Sequence, residues 1–230
     1  MTWIKKLTPN INLLLVVLLI AGLVAGAVVL PAQPVYAYTS ANWTIGQSSD
    51  DVLYRLATSS FDTVSAVNEA GANTDAFYQY GSGMRYTGIN IPKDYVVTNA
   101  YISFRAFNSD SGASTATRFS ASDEDDAATF STSGDFDTRW TARTTARVDW
   151  DSPTLTAWTG AVWYDSPDLS TIIQELVSRA GWSSGNDIVI FWDDHEDRST
   201  HGAQDHRRLA ASYDTNPAYA PKLFITWGPV

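Results

Sequence analysis

Short runs of alternating apolar and polar residues, separated by turn residues, fill most of the chain after residue 50. Such a period of two predicts half-buried β-strands. In the clearest run, Ile102 and Phe104 would face a core, and Tyr101, Ser103 and Arg105 would face the opposite side. The predicted strands are 52–56, 76–80, 84–91, 98–107, 117–122, 147–150, 157–163, 188–192, 209–213 and 223–227.

One segment has the period of a helix instead. Apolar residues from Leu169 to Val177 recur at spacings of three and four, which predicts one amphipathic helix. Residues 166–168 supply start signals, and Gly181 is expected just past the end of the helix. Because about three turns are not stable alone, we expect the helix to cover an edge or an open end of the sheets.

These elements predict an all-β fold, a two-sheet antiparallel β-sandwich (jelly roll) with one short helix, and a closed barrel is the alternative. Segment 188–192 is apolar on both faces, which indicates a central strand. The sequence Gly81-Ser82-Gly83 is predicted to form a turn before the strand that follows it.

The N-terminal segment has the pattern of a secretory signal peptide. Lys5 and Lys6 precede an uncharged apolar run at 11–30, and Val35 and Ala37 place small residues before a cleavage site. We therefore predict a signal peptide at 1–37 and a single secreted or cell-surface domain at 38–230. An uncleaved anchor is the alternative, because 20 apolar residues are long enough to cross a bilayer.

Composition narrows the class of partner. All 25 acidic residues but only 13 of the 15 basic ones follow residue 37, which gives the exported part a net charge of −12. A surface this acidic repels nucleic acid and anionic membranes. We therefore expect neither nucleic-acid binding nor membrane insertion after cleavage. The absence of cysteine excludes a disulfide scaffold and a thiolate metal site.

Tryptophan is unusually frequent and suggests a sugar-binding surface. The predicted ligand-binding residues are Trp150, Trp158 and Trp163, with Asp149 and Asp151 on either side of Trp150. Aromatic rings also supply the core of β-sandwiches, and the two aspartates equally fit the outward positions of a strand whose Trp150 packs inward.

Three stretches together resemble a known module. They are 83–104, with its Gly-Met-Arg-Tyr-Thr-Gly-Ile-Asn-Ile-Pro start, the predicted helix with its flanks at 166–186, and 211–223. In this order they resemble a jelly-roll module of secreted bacterial surface proteins that is similar to the carbohydrate-binding-like DNRLRE domains. The resemblance implies an adhesive or polysaccharide-associated role without catalysis. The charged connection at 193–208 is longer than the resemblance implies.

That connection contains all three histidines. His195, His201 and His206, with Asp193 or Asp205, have side chains that zinc sites use, although their spacing matches no standard zinc pattern. The alternative is a solvated loop whose arginines pair with its acidic residues.

A second candidate metal site follows the strand predicted at 117–122. Its residues are Asp123, Glu124, Asp125 and Asp126. Four adjacent carboxylates repel one another unless a cation lies among them, and calcium prefers such oxygen ligands. An acidic, hydrated turn is the alternative, since the EF-hand pattern is absent.

The sequence thus predicts a secreted, non-catalytic module that binds extracellular carbohydrate or acts in cell-surface adhesion, with calcium as a candidate cofactor. Its partners would be extracellular polysaccharide or other surface proteins. One alternative is a structural subunit of an extracellular filament or surface layer, which self-assembles by strand addition with 38–50 as the donor. The other is a polysaccharide-active or metal-dependent hydrolase, although no common catalytic motif occurs.

Overall fold

A computed structural model describes residues 37–74, 79–202 and 204–230. The described residues, from Ala37 onward, belong to one compact unit. The predicted signal peptide lies outside the described residues, except for Ala37. Within the described ranges, no helix is long and apolar enough to cross a membrane.

Strands dominate the described chain, and two α-helices and three short 3-10 turns complete it. The strands are β1 (Thr39–Thr44), β2 (Asp51–Arg55), β3 (Ser60–Asp62), β4 (Val67–Ala72), β5 (Gln79–Ile89), β6 (Val96–Arg105), β7 (Ala116–Ala121), β8 (Val148–Asp151), β9 (Trp163–Asp165), β10 (Asn186–Asp193), β11 (His206–Ala211) and β12 (Lys222–Gly228). The helices are α1 (Ser133–Thr141) and α2 (Ser170–Val177).

The strands form two antiparallel sheets that pack face to face, which confirms the predicted β-sandwich. The small sheet has the order β1-β12-β6-β9. The large sheet contains the order β5-β10-β7-β8, extended beyond β5 by β4 and β11 and by the hairpin of β2 and β3. These two interleaved sets of four strands have the order of a jelly roll.

Both faces of strand β10 are apolar because each face packs in a different apolar cluster. Ile190 and Trp192 point into the main core between the sheets, where the Trp192 ring centroid lies 4.7 Å from that of Phe104. Val189 and Phe191 point the other way, into a second apolar cluster on the outside of the large sheet. The central position predicted for this strand is therefore confirmed.

Helix α2 confirms the predicted helix, and α1 was not predicted. Helix α2 packs its buried side chains against β6 and β7, which belong to different sheets, so it closes an end of the sandwich. It ends with Ser178 as its C-cap, so Gly181 is not its terminating glycine. Helix α1 begins after Thr132, whose hydroxyl accepts from the Asp135 N–H, and buries only Phe136 in the second cluster.

Two local predictions are wrong. Residues 81–83 are not a turn but continue β5, and they are glycine-rich because neighbouring side chains approach the backbone closely. A Cβ atom would lie 2.6 Å from His195 Nε2 at Gly81, and 2.4 Å from the Phe130 ring at Gly83. Segment 157–163 is not a strand either, since Trp158 forms only an isolated bridge with Asp110 before β9 begins.

Candidate ligand-binding face

Two of the three tryptophans expected to stack on sugars lie in the core. Trp150 is 5% exposed and Trp158 is 2% exposed. Their rings pack against those of Phe104 and Trp192. Neither ring offers a face to a ligand, so the interpretation of these two as binding residues is corrected. Trp163, on the edge strand β9, is 38% exposed.

Asp149 and Asp151 take part in an ion-pair network on β8. Arg118 Nε lies 2.5 Å from Asp149 Oδ1, and its guanidinium lowers the pKa of that carboxyl. Arg198 pairs with both aspartates. These carboxylates belong to the large sheet, whereas Trp163 belongs to the small sheet, so the structure does not bring the predicted set together.

The structure gives the three histidines separate partners. The His201 ring pairs with Asp197, and His206 Nδ1 accepts a hydrogen bond from the Ser114 N–H at 3.2 Å. His195 packs against aromatic rings of the second apolar cluster. The connection between β10 and β11 spans 194–205, because His206 and the two arginines after it already belong to β11. Predicted candidate Asp205 accepts from the Thr74 N–H and pairs with Arg207.

His195 is a packed aromatic residue. Its ring contacts those of Tyr54, Phe136 and Trp140 at centroid distances of 5.3 to 5.8 Å. Burial lowers its pKa, and its Nε2 has no hydrogen-bond partner among the described residues. Trp140 Nε1 donates to Asp193 Oδ2 at 2.9 Å, which ties the end of β10 to α1. This part of the loop is buried rather than solvated.

Arginines lie among the four adjacent carboxylates at 123–126. Arg179 pairs with Asp123 and with Asp125, the latter at 2.7 Å. Glu124 Oε1 lies 3.6 Å from Arg139 Nε. Asp126 accepts from the Asp187 N–H. The guanidinium groups supply positive charge at the place where the sequence suggested calcium.

Both predicted metal sites stay predictions. Across the ranges that the structure describes, no group of three or more histidine, aspartate or glutamate side chains comes together in a way that could hold a metal ion.

A different surface combines aromatic and polar side chains, namely the outer face of the small sheet. On β12, Leu223, Ile225 and Trp227 point into the core, so Lys222, Phe224 and Thr226 point outward. The same alternation on the neighbouring strands turns a matching set outward. We call the outer face the surface formed by Ser40, Asn42, Thr44, Asn99, Tyr101, Ser103, Arg105, Trp163, Asp165, Lys222, Phe224 and Thr226.

Strand register places aromatic residues at the middle of the outer face. Asn42 lies opposite Phe224, which lies opposite Tyr101. The Phe224 and Tyr101 rings stack, with their centroids 4.9 Å apart and their planes 10° apart. The neighbouring row of Ser40, Thr226 and Asn99 contributes only hydroxyl and amide groups.

A shallow depression of about 250 Å³ opens beside the stacked pair. It is lined by both rings together with Ser40, Asn42, Asn99 and Thr226, besides Ala41 and Ile225. Ser40 and Thr226, which both line it, share a hydrogen bond of 2.8 Å between their hydroxyl groups. The depression therefore presents aromatic carbon next to hydroxyl and amide groups.

Two cations lie over aromatic rings on the other half of the outer face. Lys222 Nζ is 4.6 Å from the Trp163 ring centroid, and the Arg105 guanidinium is 3.8 Å from the Tyr219 ring centroid. Within the described part of the chain, neither cation forms a salt bridge with a carboxylate. Seven of the eleven arginines do form one. The ring contacts leave these two charges available to a ligand.

The sequence did not predict the depression, although it correctly predicted which residues of β6 point away from the core. The alternation of β6 correctly turned Tyr101, Ser103 and Arg105 away from the core. The pairing of Tyr101 with Phe224 joins residues more than 120 positions apart, and period-two patterns do not show which strands are neighbours.

Comparisons with known proteins add little. No family model and no curated protein matches the chain, so the resemblance to the DNRLRE domains stays a prediction. Among solved structures, the chain is similar to one described as the structure of tomato aspermy virus by X-ray crystallography. The identity is 12% and the TM-score 0.26, over 94% of this chain and 93% of that chain. So low a similarity supports no inference about function.

Proposed function

We propose that this protein is an exported, non-catalytic module that binds extracellular polysaccharide on the outer face of its small sheet. The stacked pair of Tyr101 and Phe224 beside the depression carries the proposal. Sugar rings have apolar C–H faces and polar edges, so they need aromatic carbon next to hydrogen-bonding groups. The amides of Asn42 and Asn99 and the hydroxyls of Ser40 and Thr226 supply those groups.

The charge of the outer face favours acidic polysaccharides over neutral ones. It carries Arg105 and Lys222 but only one acidic residue, Asp165, whereas acidic residues exceed basic ones by 25 to 15 in the whole chain. A net positive patch on an otherwise acidic protein would attract a polyanion to this face and repel it from the others.

Export rests on the sequence alone. The positively charged start, the apolar run at 11–30 and the small residues before position 38 support it. A cysteine-free chain suits an oxidising compartment, because it has no thiol that can form unwanted disulfides.

Calorimetric titration with paired polymers tests this proposal. The pairs are dextran with dextran sulfate, and methyl-esterified with free polygalacturonate, each with and without EDTA. We expect the charged member of a pair to bind more tightly. Replacing Tyr101 and Phe224 together with alanine should weaken binding about tenfold or more, which corresponds to about 1.4 kcal/mol.

Matched variants separate the contribution of the two cations to binding from that of the aromatic pair. Arg105→Gln with Lys222→Gln should remove the preference for charged polymers, whereas Lys93→Gln removes a lysine that lies off the outer face and should change nothing. Each variant should melt within a few degrees of the wild type, because a cross-strand ring pair contributes only about 0.2–1 kcal/mol. If none of the four polymers binds, or if the alanine variant binds as tightly as the wild type, the proposal fails.

A further inference from the structure

The exposed edge of β1 differs from the other sheet edges. Strand β1 pairs with β12 over all six residues, Thr39–Thr44, without a bulge. Within the described part of the chain, its other edge pairs with no strand. Its sequence, Thr-Ser-Ala-Asn-Trp-Thr, contains no charged residue and no proline. Soluble proteins normally protect a free edge with short length, charge, proline or a bulge, because an unprotected edge can pair with another chain.

Each of the other free edges has such protection. Strands β9 and β3 are three residues long, and they carry Asp165 and Asp62 respectively. Strand β8 carries Asp149 and Asp151. Strand β11 carries two consecutive arginines. The other edge strands of the described chain are therefore protected against pairing with another chain. The regular, six-residue β1 is not.

We propose that β1 is a self-association edge, on which β1 of one copy pairs antiparallel with β1 of a second copy. The occupant is a second copy because identical antiparallel strands are self-complementary about a two-fold axis. Each β1 keeps its pairing with β12, so association requires no unfolding. The pairing joins two small sheets into one sheet of eight strands.

The geometry of this pair has a consequence for the outer face. A two-fold axis between antiparallel strands is perpendicular to the sheet, so both outer faces lie on the same side. Phe224 of each copy is one strand in from the junction, so the two residues would be three strand spacings apart, about 14 Å. The two depressions would lie close enough for one polymer to contact both. The pairing itself does not depend on the proposed function.

Sedimentation velocity of the purified protein over a hundredfold range of concentration tests the inference. A contact of six residues a side is smaller than a stable interface, so we expect reversible dimers whose fraction rises with concentration. Thr39→Lys with Thr44→Lys should abolish the dimer, because both side chains are exposed and lysine side chains on an edge strand oppose its pairing with another chain. Thr154→Lys with Thr159→Lys adds the same charge on an exposed loop and should leave the dimer intact.

Cysteine cross-linking locates the contact. The chain contains no cysteine, so a single introduced cysteine forms a disulfide only with another copy. Placed at each position of β1 in turn, it should cross-link rapidly at one or two adjacent positions, and Thr159→Cys should not. A monomer at every concentration would overturn the inference, and so would a dimer that the β1 lysines leave intact. Cross-linking of Thr159→Cys as fast as β1 would also overturn it.

Discussion

The buried carboxyl of Asp51 should make the stability of the protein depend on pH. It is 3% exposed at the start of β2. Its Oδ2 accepts hydrogen bonds from Asn68 Nδ2 at 3.0 Å and from the Tyr213 N–H at 2.8 Å. Its Oδ1 is buried and has no partner among the described residues. Burial raises the pKa of Asp51 from 3.8 to about 7, and the Asp51→Asn variant removes this ionisation while keeping the shape.

The sign of the effect follows from the raised pKa. Between pH 4 and pH 7 the folded protein holds a proton on Asp51 that the unfolded chain releases. The contribution of Asp51 to stability is therefore complete below pH 4 and is lost as the pH rises through 7. A difference of about three pH units at 1.36 kcal/mol per unit gives a loss of up to about 4 kcal/mol. The asparagine variant has no such loss.

Urea unfolding at pH 4.5, 6 and 8, followed by tryptophan fluorescence, measures this difference. We expect the stability of Asp51→Asn relative to wild type to rise by about 2–4 kcal/mol from pH 4.5 to pH 8. Other raised carboxyls, such as Glu69, titrate in both proteins, so their effects cancel in the comparison. A stability difference that is the same at all three pH values would refute the reasoning.

Two further predictions concern packing and buried charge. Gly83→Ala should lower the free energy of unfolding by about 1–3 kcal/mol, because its Cβ would meet the Phe130 ring at 2.4 Å. In the same urea assay, Gly46→Ala has nothing within 4 Å and should change stability by less than about 0.5 kcal/mol. Arg208 is buried and donates to backbone oxygens of Gly112, Leu155 and Thr156, so Arg208→Met should cost about 3 kcal/mol or more in thermal unfolding. An unchanged melting temperature would contradict the role of Arg208 in holding these loops together.

The sequence predicted those elements whose own pattern decides their structure. The alternation around Phe104 and the two apolar faces of 188–192 both identify strands, because burial on a pleated sheet requires that spacing. The stripe from Ile172 to Val177 likewise identified α2. Helix α1 lacks such a stripe, since Phe136 is its one buried residue. A signal for it exists in Thr132 and Asp135, which have the spacing of a capping box.

The missed features depend on contacts between distant segments. The glycines at 81–83 looked like a turn because nothing local shows that His195 and Phe130 pack over them. Whether Trp150 faces the core or solvent depends on which face of β8 meets the other sheet, and one residue of register reverses the answer. The outer face likewise depends on the pairing of β6 with β12.

The position of β12 has a consequence for the order in which the chain folds. This strand, at Lys222–Gly228, lies between β1 and β6 and holds both in the small sheet. During synthesis, β1 emerges long before β12, and within the described part of the chain β12 is the strand with which it pairs. Folding must therefore wait for contacts of very long sequence separation, which form slowly.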